Sequence, residues 1–287
     1  MRQLLLMSAL LLCTATSKAQ GYVDQEKTEP LSYSQEGPID NVQKVKWTVF
    51  NYEKVNKTGP WTRLTNELDS LPGEEQGLRR EIVQLANHVS GDKMRKGRKL
   101  VVPASFPLDY RAYSPYPFHY AAAANIPKLF IIDKYTQTFG AYENGNLVHW
   151  GLVCAGREDN LTPNGKYHFT WKTEYRESNA APPGEVWKMY WVFNFIPSIG
   201  IHVHQYSLPL ANPSSHGCVR VSLGDAKWNY NWADGSADGG KGTSVWVINH
   251  NPVGKSAHWD IGADGEVHSL VRLPDQGEDA DQNFANR

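Results

Sequence analysis

Between residues 128 and 248 the chain is cut into short apolar runs by glycine and asparagine turns, and this pattern constrains the fold more than any other feature. "KLFIIDKYTQTFGAYENGNLVHWGLVCAG" (residues 128–156) reads as strand, turn, strand, turn, strand, with the Asn-Gly hairpin signal at residues 143–146. "TPNGKYHFTWKT" adds a turn and a strand, "KMYWVFNF" and "GIHVHQY" add two more, and "KGTSVWVIN" closes the run. Short strands spaced by such turns predict a mainly β sandwich or barrel. One helix is expected, at "SLGDAKWNYNWA" (residues 222–233), where Ser222 and Asp225 have the spacing of a capping box.

The preceding sequence has a different texture. "KWTVF" alternates like a strand, and "GLRREIVQLANHV" places Leu78, Ile82, Leu85, Ala86 and Val89 at helical spacing. "MRKGRKLVVP" turns at Gly97 into a strand stopped by Pro103, so residues 45–105 predict a small α+β module. Residues 20–44 are polar, carry no apolar period and read as a linker. Residues 106–126, with Pro107, Pro115 and Pro117, read as an aromatic connector. The strand-rich domain is assigned to 127–250. Residues 251–287 form a C-terminal extension whose acidic end is expected to be disordered.

Residues 1–19 carry Arg2, a short apolar core and a small-x-small site before Gln20, the pattern of a cleaved export leader. The apolar run is too short to span a bilayer, so the mature chain is expected in the periplasm or cell wall with no transmembrane segment. Lys and Arg total 29 against 30 Asp and Glu, and removing the leader leaves a net charge of about −3. No basic run serves a nucleic acid. Of the 3 cysteines the leader takes Cys13, leaving Cys154 and Cys218. The pair could form one disulfide, or one thiol could be kept for chemistry.

The second possibility gains weight from "NPSSHGCVRVS" (residues 212–222). His202, His204, His216 and Cys218 crowd into seventeen residues. Alternation along a strand puts His202 and His204 on one face, and three nitrogens with one sulfur form a plausible zinc set. Against a metal, a single glycine separates His216 from Cys218, and no carboxylate stands nearby as a base; no metal or other cofactor is therefore expected. For a nucleophile, Cys218 follows a glycine in a turn and precedes a helix start, where backbone N–H groups favour a thiolate and an oxyanion. A neutral histidine from another strand could take the thiol proton.

"GIHVH…SSHGCVRVSLGDA" resembles the signature of the L,D-transpeptidases with the YkuD-type catalytic domain, and the likeness extends over roughly residues 127–249, including the Thr-Pro-x-Gly turn at residues 162–165. It implies a YkuD-like β-sandwich or barrel with a short helix after the catalytic cysteine. It also implies Cys218 as nucleophile, His202 as general base, and His216 and Gly217 shaping the turn, with the Gly217 and Cys218 N–H groups as oxyanion donors. Arg220, Tyr190, Trp191, His204 and Ser215 are then expected at the substrate, with His204 a competitor for the role of base. Val203 and His204 stand where the family has Gly-Thr, which bears on substrate preference. The implied reaction is acyl transfer on peptidoglycan tetrapeptide stems, giving 3→3 cross-links, or hydrolysis or D-amino-acid exchange at the same site. The ending of the N-terminal module, residues 87–103, resembles the second half of a LysM domain, which implies contact with glycan. The rival reading is a non-catalytic wall-binding protein with a decayed transpeptidase-like domain.

Overall fold

The computed structural model describes residues 21–51, 60–70, 76–93, 99–210, 212–249 and 257–274. The expected leader with Cys13, the turn at Gly97 and the acidic tail lie outside the described residues. Among the described residues no helix is long and apolar enough to cross a membrane.

The first elements are α1 (Gln25–Tyr33), β1 (Trp47–Asn51), α2 (Pro60–Ser70), α3 (Gln76–Ala86) and β2 (Lys99–Pro103). β1 and β2 pair antiparallel with Val49 opposite Val101, so the strand–helix–strand order read from residues 45–105 is present. Leu64, Leu68, Val83, Val89, Leu100 and Val102 form this module's own small core.

The strand-rich region follows as β3 (Lys128–Asp133), β4 (Thr138–Glu143), β5 (Asn146–Leu152), β6 (Gly165–His168), β7 (Lys172–Glu177), β8 (Lys188–Ile196), β9 (Ile201–Gln205), β10 (Val219–Val221), α4 (Leu223–Trp232) and β11 (Ser244–Ile248). A short hairpin, β12 (Trp259–Ile261) and β13 (Val267–Ser269), ends the described chain. Two sheets result, ordered β5-β4-β3-β11-β6 and β10-β9-β8-β7. β3 with β11 and β9 with β10 are parallel pairs in otherwise antiparallel sheets.

Sheet packing follows from period-two alternation. Phe130 and Ile132 of β3 face a shared core with Phe139, Phe193, Val203, Val219 and Val245. Leu129 and Ile131 point the other way, into a second core built with Tyr110, Tyr113, Tyr116 and Trp150. The five-stranded sheet is thus covered on both faces, which explains why β3 reads as an unbroken apolar run.

One expectation is corrected here. Residues 20–44 are no free linker: they form α1 and a 3-10 turn, with Leu31 and Ile39 in the second core. The sequence hides this because α1 buries only a few small or apolar side chains (Thr28, Leu31, Ser32) and contains Pro30. It is held instead by polar bonds to distant residues. Ser32 Oγ donates to Asp225 Oδ1 at 2.7 Å, Lys227 pairs with Glu29 at 2.9 Å, and Gln25 Nε2 donates to the Tyr206 carbonyl at 2.7 Å. The connector likewise lies on the body, through its buried tyrosines.

The α4 cap forms as the sequence predicts in one direction only. Asp225 N–H donates to Ser222 Oγ at 3.2 Å, while the Asp225 carboxylate accepts from Ser222 Oγ and Ser32 Oγ and meets His149 Nε2 at 2.9 Å. The reciprocal capping bond is given up to a buried junction between α1, β5 and α4.

Candidate active site

β9 and β10 assemble the chemistry. Their parallel register sets Val219 beside Val203 and Arg220 beside His204. Val203 and Val219 face the core, so alternation turns His202, His204, Cys218 and Arg220 to the opposite face. Continuing the register back by one residue brings Cys218 beside His202. All four line a cleft of about 500 Å³, whose other walls include Arg176, Trp187 and Met189.

The turn carrying Cys218 is tied down from within. Ser215 Oγ donates to the Cys218 carbonyl and accepts the Gly217 N–H, the latter at 3.1 Å. Thr162 Oγ1 donates to the Gly217 carbonyl at 2.7 Å, which gives the Thr-Pro-x-Gly turn its part. Gly217 has φ +111°, and a Cβ there would stand 2.7 Å from Ile201 Cδ1, so only glycine fits this backbone without strain. These contacts correct two expectations. Ser215 is 1% exposed and clamps the turn rather than meeting substrate. The Gly217 N–H is already engaged by Ser215.

Cys218 is partly exposed and Cys154 buried; both are free thiols. Cys154 exchanges backbone hydrogen bonds with Arg220 at 2.9 and 3.0 Å, and its Sγ accepts the Ser214 N–H at 3.2 Å. It braces the segment before the turn from the adjacent chain. Cys218 Sγ donates toward the Gly200 carbonyl at 3.8 Å. Burial pushes the Cys218 thiol above its usual value, while the His202 backbone N–H and the charges of Arg220 and Arg176 pull it down.

Both strand histidines are neutral bases at ordinary pH. Burial pulls His202 down to about 4, assisted by Arg176. Burial also takes His204 to about 4. Their surroundings differ. Asn194 Nδ2 donates to the Ile201 carbonyl and to His202 Nδ1, each at 3.0 Å, which leaves the neutral ring's proton on Nε2. His204 Nδ1 donates to the Gln205 carbonyl at 2.9 Å and keeps its lone pair on Nε2. Trp171 packs its ring edge-on against His202 at 5.2 Å. His216 is exposed and lies 4.8 Å from the Trp187 ring. Among the described residues no three His, Cys, Asp or Glu side chains converge as a metal-binding group.

Tyr190 and Trp191, expected in the cleft, are not among its lining residues. Trp191 has φ +53° at an irregularity in the β8–β9 register. Position counting along β8 therefore fails there, and Trp191 lines a separate groove with Tyr33, Trp228 and Trp232. Tyr190 is exposed beside Tyr175, at 5.4 Å. Asn194, Trp171 and Arg176 escape sequence reasoning. Asn194 alone left a trace, as one amide inside the apolar run "WVFNF".

Residues 127–247 match the model of the YkuD L,D-transpeptidase catalytic domain. This region is a YkuD domain. The family assignment and the mainly β sandwich agree with the reading of residues 127–249, whereas the matched span does not reach the N-terminal module. The YkuD region is similar to solved L,D-transpeptidases of Mycobacterium tuberculosis (18% identity, TM-score 0.35, 42% of this chain and 62% of that one) and Mycobacterium smegmatis (21%, 0.36, 42% and 58%). An L,D-transpeptidase from Stackebrandtia nassauensis aligns over 79% of this chain and 92% of its own, at 16% identity and TM-score 0.42. The match therefore spans less than two thirds of these two mycobacterial chains. No curated protein matches the sequence.

Proposed function

We propose that the protein is a cysteine L,D-transpeptidase of the cell envelope that acts on peptidoglycan tetrapeptide stems. The observation that carries this reading is a free Cys218 opening into a cleft beside two neutral histidines, on a turn that only glycine at 217 permits. The Cys218 thiol gives its proton to the lone pair of the neutral His202 ring, at Nδ1 once the Asn194 amide releases it, as Sγ attacks the carbonyl of the third stem residue. The C–N bond to the terminal D-residue breaks, its amine leaves with a proton, and a thioester remains. An amine from a neighbouring stem then attacks the thioester, forming the 3→3 amide and returning the thiol. Water or a free D-amino acid in place of that amine gives hydrolysis or exchange with the same groups. With the Gly217 N–H held by Ser215, the oxyanion role falls to the Cys218 N–H. Arg220, held 4.7 Å over the Tyr206 ring, meets an anionic group of the stem.

The test is turnover of a purified disaccharide-tetrapeptide. Loss of the terminal D-residue and appearance of dimer, both absent in Cys218→Ala, are expected; no turnover by the folded, reduced wild type returns the chain to the class of non-catalytic wall-binding proteins. The module at residues 45–105 is proposed to hold glycan. Retention of the full Cys218→Ala chain on stem-free glycan strands supports this, and its passage with the unbound fraction refutes it.

A further inference from the structure

Arg176 sits on β7, half-buried, with its guanidinium 5.2 Å over the Trp171 ring. It shares the cleft with Arg220, and among the described residues no Asp or Glu lines that cleft. Among the described residues neither guanidinium has an ion-pair partner. Glu177, next to Arg176 in the chain, accepts from the Tyr175 hydroxyl at 2.7 Å, and Asp159 pairs with Arg157 at 2.6 Å. Two partly desolvated, uncompensated cations in one cleft are costly unless an anion is to occupy it. A guanidinium over an aromatic ring keeps N–H groups for other partners, and its fork can grip a carboxylate with two bonds.

The two arginines stand at different depths. Arg220 is on β10, two residues beyond Cys218. Arg176 comes from β7, three strands away in the sheet order, which at about 4.8 Å per strand puts its Cα well over 10 Å from the β10 backbone. A long side chain spans part of that distance, so its fork serves a group several bonds from the scissile amide. On a stem whose third residue is a diamino dicarboxylic acid, that group is the carboxylate at the end of the third side chain. We propose that Arg176 is a specificity-determining residue that binds this free side-chain carboxylate, so that the cleft selects acidic donor stems over amidated ones; this rests on the transpeptidase reading above.

Two measurements on the full chain test it. The first compares kcat/KM for two tetrapeptide donors that differ only in a free or amidated side-chain carboxyl on the third residue. Wild type favours the free acid by roughly 10- to 100-fold, the range of a charge-assisted hydrogen bond. In Arg176→Gln the ratio collapses toward one, and Arg176→Lys keeps part of it. Turnover with an unchanged ratio in Arg176→Gln overturns the inference and leaves the transpeptidase reading standing. The second needs no turnover. Cys218 alkylation by two N-alkyl iodoacetamides, whose chain of several carbons ends in a carboxylate or in its amide, is followed by peptide mapping in folded, reduced protein. Relative to free cysteine, wild type favours the anionic reagent, and Arg176→Gln loses that bias. Bias without turnover of either peptide supports the anion site and sinks the transpeptidase reading, while absence of bias in wild type overturns the anion site itself.

Discussion

The two sheets of the YkuD domain use the same strand alternation for opposite ends. In the five-stranded sheet both faces are covered: β3 sends Phe130 and Ile132 into one core and Leu129 and Ile131 into another, all of them fully buried. In the four-stranded sheet only one face is given over to apolar packing. Val203 and Val219 secure β9 and β10 to the core, and the alternate positions carry His202, His204, Cys218 and Arg220 into the cleft. A sheet with a free face can hold polar chemistry in register without losing its core; a doubly covered sheet cannot.

The largest expected contrast is between the cysteines of these regions. Cys218→Ala is expected to lower acylation and turnover by ~10³-fold or more, the scale of a lost nucleophile. Cys154→Ser, a substitution in the bracing segment, retains most activity. Equal losses would dissolve the distinction between reacting and bracing thiols. Next come the histidines of the open face. His202→Ala is expected to cost ~10²–10⁴-fold in the rate of Cys218 acylation, the usual worth of a general base, and His204→Ala less. Register favours His202, while the tautomer held by Gln205 favours His204, so a reversed order would make the hydrogen-bond pattern the better guide.

The covered sheet should instead answer in stability. Phe130→Ala removes a ring stacked on Phe139 at 4.7 Å, with an expected loss of about 3–5 kcal/mol. Tyr175→Ala on exposed β7 should stay within about 0.5 kcal/mol. Denaturant melts of both variants sharpen the contrast, and similar midpoints would break it. The smallest effect concerns pH. With His202 and His204 near 4, the neutral base is fully present above that value and is lost as pH falls through it. Acylation of Cys218 by a carbapenem, read by intact mass, should therefore show its histidine limb near pH 4. A limb near 6.5 would mean the cleft is wetter than the buried rings indicate.

Sequence reading reached most strands and the capped helix because each depends on local pattern (alternation, Asn-Gly turns and a cap), while the expectation that Cys218 works with His202 came from the likeness of a short motif to a family. It missed what depends on partners far along the chain. α1 looked like a linker because its hold comes from Asp225, Lys227 and Tyr206. Trp191 was placed in the cleft because nothing in "KMYWVFNF" announces the positive φ that breaks alternation there. Gly217 was rightly singled out, but its N–H was not free for an oxyanion, since a hydroxyl two residues earlier claims it.

The fastening of α1 to α4 also dictates an order of events as the chain folds. α1 is 9 residues long, contains a proline, and is too short to persist as an isolated helix. Its partners Asp225 and Lys227 follow Ser32 and Glu29 by 193 and 198 positions. The first helix made is therefore among the last to settle, since closing so long a loop precedes any gain from its contacts. Until residues beyond the cysteine turn have emerged, α1 has only part of its docking surface, through Tyr206 and the second core. A chain interrupted before α4 would thus carry Cys218 and both strand histidines yet leave α1 without its Asp225 and Lys227 partners.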